Sequence, residues 1–470
     1  MNNLLKFYNG LPIFTSPWQA NSYFYSPGLE YLTYPLIKTF GVVLDIRYFR
    51  LIVIIIGFIT AIFTTMTMNI LVSKIENNAQ SIWLTFIIFG LALLSIFQNF
   101  TADVVHPDCL HILHAVIVLY LCCKAVFRKS FKLALISVIV AGIGVFTKQT
   151  EVLAVVGPLL IYTLMNIWGW KRLLLLIVVG SCITIISIFL LWLPEYAYFY
   201  TYEIPANNAL MLKNLLFLAN LKFWGVLPVF VLAACIYLWF SKGEKRSFFI
   251  CWLLVGLFAA VPNILAYIKY LGNWNNLGII KLWLLIICWP CLLFFPRIFL
   301  QFFWLNKDID AKKIFLVNSV TIILFLGLLI QIYPKKVIPT NLHYKYCQAI
   351  EDLVKHDVQN KRSVMISQGT MYYISAGFNG VPLDRGNSVL ELKNANKLSL
   401  AGTKERIATK SYDRIYLNTN LDRYGKEILE TIDKNYILIE SIAPPPESHD
   451  FFSGLHPGLL GLGRVFAPSL

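Results

Sequence analysis

Charge is the scarcest commodity in this sequence: 14% of 470 residues are Asp, Glu, Lys or Arg, and acids are rarer than bases, 25 against 40. Soluble domains carry about 25% charged and about 45–50% apolar residues, so a soluble enzyme, a disordered chain and a collagen-like fibre are all excluded. There is no HExxH pair, no internal repeat, and no charged segment followed by an apolar one that would mark a secretory signal. The nine cysteines make no disulfide framework, because Cys122, Cys123, Cys182, Cys235, Cys251, Cys288 and Cys291 fall inside apolar runs. Cys288 and Cys291 spell CWPC, but with no βαβ pattern around them they read as packed or lipid-facing thiols.

Apolar residues fill the space that charge leaves. They make up 58% of the chain, aromatics 15%, and mean hydropathy is +0.66. Ten apolar runs stand out, near 49–72, 82–97, 110–127, 131–147, 150–168, 172–193, 223–240, 248–268, 275–295 and 312–333. At about 20 residues per membrane-spanning helix, they predict an all-α polytopic membrane protein of about ten transmembrane helices. The net charge of +15 then belongs to loops rather than to nucleic-acid binding. Lys and Arg gather in the connections near 73–81, 124–132, 169–172, 241–247 and 296–313. The alternate connections hold few, with none in 98–109. By the positive-inside rule the basic set is cytoplasmic, which leaves residues 1–48 and 334–470 outside. A bacterial inner membrane is the expected location. An outer segment at residues 1–48 with no helix before it suggests a chain whose first transmembrane helix lies upstream of Met1.

From about 342 the composition turns charged and Asn-rich. A helical period over Tyr344–Val358 leads to a short strand at Ser363–Ser367, with further strands at Asp413–Leu417 and Tyr436–Ile442. The expected division is therefore an outer first loop (1–48), a helical membrane domain (49–333) and a C-terminal extracytoplasmic α/β domain (334–470). Pro444–Pro446 and the glycines from Gly454 to Gly463 predict an irregular tail.

Ionisable groups near membrane depth are costly and therefore mark chemistry. Three stretches carry them or their polar equivalents. Residues 10–50, GLPIFTSPWQANSYFYSPGLEYLTYPLIKTFGVVLDIRYFR, read as a re-entrant or interfacial loop, or more plainly as an aromatic belt. TADVVHPDCLHILH packs Asp103, His106, Asp108, Cys109, His111 and His114 into residues 101–114. Pro107 and Asp108 suit a helix start, where a missing N–H costs nothing and a negative charge meets the positive helix end. His111 and His114 share a helix face, and with Asp108 would hold a divalent metal or, more simply, bond to neighbouring helices. In FTKQTE, Lys148 is placed either to hold a phosphate or to snorkel towards the interface, with Gln149, Thr150 and Glu151 beside it.

Taken together and in order, these stretches resemble the GT-C membrane glycosyltransferases, the group that includes bacterial aminoarabinose and mannosyl transferases using polyprenyl-phosphate sugars. The outer loop of that family matches at Gly10, Pro12, Tyr25, Pro27, Tyr31, Phe40, Gly41 and Arg47 or Arg50. HPDCLHILH is similar to its Pro-Asp-x-Leu helix start, and GIGVFTKQTEVL to its Thr-Lys-Gln-Thr stretch. The resemblance implies sugar transfer from a polyprenyl-phosphate donor to an acceptor hydroxyl on a lipid, glycan or protein. It implies Lys148 with Arg47 or Arg50 at the donor phosphate, and Tyr25, Gln149 and His106 lining the site. The family's catalytic Asp precedes the Gly-x-Pro stretch and has no counterpart here, so Asp108, Glu30 and Asp103 are the carboxylates left to act as base. A secondary transporter and an inactive homologue that binds lipid-linked sugar are the alternative classes.

Overall fold

The structure, a computed structural model, describes residues 2–22, 24–40, 46–75, 108–212, 243–269, 274–283, 341–367, 370–378, 380–417, 424–442 and 463–469, with scattered helical positions between 85 and 96 and between 228 and 239. In chain order the main helices are α1 (Asn2–Tyr8), α2 (Gly28–Phe40), α3 (Ile46–Ile75), α4 (Asp108–Phe127), α5 (Phe131–Gly142), α6 (Val156–Leu164), α7 (Trp170–Trp192), α8 (Glu244–Ile268), α9 (Asn341–Gln359), α10 (Gly386–Asn394), α11 (Thr403–Ala408) and α12 (Lys426–Asn435). Four strands follow the same order: β1 (Val364–Ile366), β2 (Arg414–Leu417), β3 (Tyr436–Ser441) and β4 (Arg464–Pro468). Two compact units emerge. One gathers Met1–Phe49, Leu191–Ala209 and Lys335–Leu470, and the other Arg50–Leu190 and Leu210–Pro334.

The second unit is helical. Among the described residues, Tyr48–Leu71, Asp108–Phe127 and Trp170–Trp192 are long and apolar enough to cross a membrane, as the first, third and sixth runs predict. The α7 segment leaves Leu174, Leu175, Val178, Ile185, Ile186 and Phe189 exposed, a surface that only lipid would solvate well. Helices α4 and α5 form a hairpin through Arg128–Ser130, where Lys129 takes a left-handed φ of 47° and Ser130 caps α5 by accepting from the Leu133 N–H. Small residues at the seam, Ala125, Ala134, Ala141 and Cys122, are buried and let the backbones approach.

The runs at 131–147 and 150–168 do not give two full spans. Each is a short helix carrying a 3-10 turn, Ile143–Phe146 after α5 and Gln149–Leu153 before α6. At 1.5 Å per residue, the 12 residues of α5 and the 9 of α6 fall well short of the roughly 30 Å hydrocarbon core. Polar FTKQTE sits at that break. The runs at 223–240, 275–295 and 312–333, most of 82–97, and the CWPC pair lie wholly or mainly outside the described residues.

The first unit is an α/β body whose sheet runs β1-β2-β4-β3. β1 pairs parallel with β2, and β4 lies antiparallel between β2 and β3, with Ile415 opposite Phe466 and Leu438 opposite Phe466 from the other side. Sequence periodicity locates β1, β2 and β3. It does not locate β4, and the irregular tail expected over Pro444–Pro446 and Gly454–Gly463 lies, but for Gly463, outside the described residues.

The division into 1–48 and 334–470 is also revised, because the two fold as one body. Ile13, Phe14, Ala20 and Phe24 are buried in the same core as Met365, Val389, Leu392 and Ile415, so this part of the first loop is core-forming rather than a membrane dip. Residues 191–209 contribute Tyr200, stacked on Phe14 at 6.1 Å and edge-on to Phe24 at 5.4 Å.

Backbone bonds tie the loop down: Asp384 N–H to Gln19 O (3.1 Å), Arg385 N–H to Ala20 O (3.0 Å) and Gly402 N–H to Trp18 O (3.0 Å). Asp384 is the hub. Fully buried, its carboxylate accepts from Arg406 Nε and Nη2 (2.7 and 2.6 Å), Thr403 Oγ1 (2.5 Å) and Tyr412 OH (2.5 Å), while Arg406 also donates to Trp18 O (2.6 Å). Removing one partner of such a pair strands the other charge away from water. Asp384→Ala is therefore expected to destabilise the first unit by about 3–5 kcal/mol, read as faster proteolysis of residues 10–25 and a lower unfolding midpoint.

Candidate functional site

Two of the stretches picked out by the sequence, HPDCLHILH and FTKQTE, meet in the helical unit. Asp108 opens α4, where the free N–H groups of the first turn favour a carboxylate. Lys148 lies in the extended residue between the two 3-10 turns, forty positions later. Its Nζ donates to Asp108 Oδ1 at 2.6 Å and to Asn276 Oδ1 at 2.8 Å, and both partners of the ion pair are buried.

One turn further into α4, the Glu151 carboxylate stands between two imidazoles. Oε1 lies 3.2 Å from His111 Nδ1 and Oε2 is hydrogen-bonded to His114 Nδ1 at 3.1 Å. His114 Nε2 is 2.7 Å from Val140 O. A carbonyl can only accept, so Nε2 carries a proton, and a further proton lies between Nδ1 and the carboxylate. Helical spacing accounts for both histidines reaching one group, since i and i+3 share a face. Gly144 accounts for the closeness of the turn: a Cβ there would come within 2.4 Å of His114 Cε1 and 3.1 Å of Glu151 Cβ.

The donor set does not fit a divalent metal. Both Nδ1 atoms face Glu151 and His114 Nε2 faces a carbonyl, while Asp108 holds Lys148. No group of three or more His, Cys, Asp or Glu among the described residues is placed to hold a metal ion. Sequence reading paired the histidines with Asp108; the structure pairs them with Glu151, which the motif contained but to which no role was given.

The other expected site residues are distributed as follows. Gln149 is half-buried in the turn after Lys148, and Arg50 is exposed on α3. Glu30 and Tyr25 belong to the α/β unit, where Glu30 is buried on α2 and accepts from Asn3 Nδ2 at 3.2 Å and Tyr25 is half-buried. Arg47 lies in α3, but its side chain, like Asp103 and His106 altogether, falls outside the described residues.

A buried cation that no motif announces lies in the α/β unit. Lys6 is fully buried and donates to Ile13 O (2.7 Å), Thr15 Oγ1 (2.9 Å) and Ser22 Oγ (2.9 Å). These acceptors are neutral. Loss of water, with Arg385 adding repulsion, pulls its pKa from 10.5 down to about 7. Its only sequence signal is a lone lysine in the last turn of α1.

A scan against protein-family models finds no match, and a search of curated protein sequences finds none. Among solved structures, the chain is similar to the crystal structure of ArnT from Cupriavidus metallidurans bound to undecaprenyl phosphate. That match has 14% identity and a TM-score of 0.46, and covers 100% of this chain and 92% of that one. A likeness this loose carries no argument about activity.

Two outcomes follow from the buried charges. Asp108→Asn and Lys148→Met should each cost about 3–5 kcal/mol, because either leaves an uncompensated charge or an unmet polar group. The double variant should cost clearly less than their sum, as a double-mutant cycle on unfolding midpoints would show. For Lys6, the folded pKa lies below the unfolded one, so the unfolded chain binds more protons between about pH 7 and pH 10.5. Stability therefore rises with pH across that window. Lys6→Met should flatten the rise, checked by denaturation of both proteins at its two ends.

Proposed function

We propose that this chain is a membrane glycosyltransferase of GT-C type, transferring a sugar from a polyprenyl-phosphate donor to an acceptor hydroxyl at the extracytoplasmic face of a bacterial inner membrane. One observation carries the reading: the two stretches that resemble family motifs, the Pro-Asp helix start and Thr-Lys-Gln-Thr, are joined through the Lys148–Asp108 bond of 2.6 Å. A cation and a carboxylate held together in an apolar bundle are the two groups that displacement of a phosphate from an anomeric carbon calls for. The acceptor oxygen forms the new bond to that carbon, and the bond to the phosphate oxygen breaks with its electron pair. The hydroxyl proton passes to a carboxylate. Charge building on the departing phosphate is met by the ammonium.

In this reading the donor phosphate takes the place of Asp108 on Lys148, and the released Asp108 carboxylate becomes the base. Glu30 is the second choice, in the better-matched loop, and Asp103 the third. Arg47 and Arg50 would add positive charge near the donor, with Tyr25, Gln149 and His106 lining the site.

The mutual neutralisation of Lys148 and Asp108 favours one competing reading, a homologue that binds lipid-linked sugar without transferring it. Purified full-length chain in nanodiscs, given a polyprenyl-phosphate sugar and a hydroxyl acceptor, separates them. Transfer should occur, and Asp108→Asn should lower its rate about 10²–10⁴-fold while the donor still binds. Lys148→Ala should weaken donor binding by about 1.5–3 kcal/mol. Donor binding with no transfer by the unaltered chain establishes the competing reading, and transfer at full rate by Asp108→Asn moves the base to Glu30 or Asp103.

A further inference from the structure

Beside the charged cluster the helical unit holds a half-open cavity of about 100 Å³. At about 10–15 Å³ for each water-sized group, it has room for roughly seven. Its wall is nearly all apolar, built from residues such as Val116 and Leu119 on α4, Ile161 on α6, and Ile280 and Leu282 after the Trp274–Leu277 turn. The polar exceptions are Thr150, Glu151, Asn263 and Trp283. Of these, Trp283 Nε1 and Thr150 Oγ1 are buried with no hydrogen-bond partner among the described residues. Trp283 is 8% exposed, and it lies flat on α8 at Gly256, where a Cβ would come within 1.7 Å of the indole. The ring packs closely on the helix there, and its N–H, a donor only, has no acceptor among the described residues.

We propose that this cavity binds an uncharged aliphatic alcohol, its chain on the apolar wall and its hydroxyl at the Trp283 indole. Each element of the wall contributes to that choice. A buried donor without a partner is unfavourable until an acceptor arrives, which a plain hydrocarbon cannot supply. The hydroxyl oxygen accepts from the indole N–H. An anionic head is disfavoured, because Glu151 is part of the wall and no Lys or Arg lines it among the described residues. The site is thus distinct in chemistry from one for a phosphate-headed lipid, and it does not depend on the sugar-transfer reading.

The test is a ligand-observed NMR titration of the full chain in nanodiscs with 1-hexanol, hexane and hexyl phosphate, each corrected with empty nanodiscs. Hexanol should bind about fivefold more tightly than hexane, the worth of one net hydrogen bond, and hexyl phosphate no more tightly than hexane. Trp283→Phe should bring hexanol to the level of hexane without changing hexane. Ala115→Leu, which adds bulk to the wall, should abolish both. If Trp283→Phe does not fold, ethyl butyl ether, which accepts but cannot donate, should still bind the unaltered chain more tightly than hexane, and equal binding would overturn the proposal. Tighter binding of hexyl phosphate, equal binding of hexanol and hexane, or binding that survives Ala115→Leu would each overturn the proposal.

Discussion

The scarcity of water around a few charges governs both units. In the helical unit, Lys148, Asp108, Glu151 and the two histidines are withdrawn from solvent, and each must be met by another protein group or lose its charge. That requirement fixes the local architecture. The break between α5 and α6 brings Lys148 and Glu151 back to the first turns of α4, and Gly144 allows the approach. In the α/β unit, Asp384 and Arg406 impose the same discipline on the loop at residues 16–22. A neutral polar shell suffices for Lys6 only because its proton is loosely held.

The two units use buried charge differently. Asp384 is surrounded by donors from α11 and the Tyr412 region and clasps chain segments far apart in sequence. The Glu151 carboxylate, by contrast, lies against two imidazoles one helical turn apart and is hydrogen-bonded to that of His114. The first is suited to holding a fold together. The second, next to a cavity and an ion pair, is suited to chemistry.

Much of this was legible in the sequence wherever the signal was local. Helix α4 announces itself by Pro107 and Asp108, and the i, i+3 spacing places His111 and His114 on one face. β1, β2 and β3 show as short apolar segments between helical periods. What was not legible depended on distant partners. Glu151 lies 37 residues from His114, and no spacing rule links them. β4 is five residues whose meaning comes from β2 and β3 on either side. The loop at residues 10–27 has the aromatic and proline content of an interfacial segment and equally of a core segment, and only Met365, Val389 and Ile415 decide between the two. The 131–168 region reads as two spans because hydropathy averages over the 3-10 turns that interrupt it.

The strand order β1-β2-β4-β3 has a consequence for how the chain is made. β3 has no neighbour in the sheet until β4 has been synthesised, since β4 lies between it and β2. The segment Trp18–Ala20 likewise waits for the backbone at Asp384, Arg385 and Gly402. The ribosome delivers every helix of the membrane unit between those two events, so the earliest residues of the α/β unit must stay uncommitted while hundreds of later ones enter the bilayer. Assembly of the α/β unit therefore waits until the helical unit between its segments has been made.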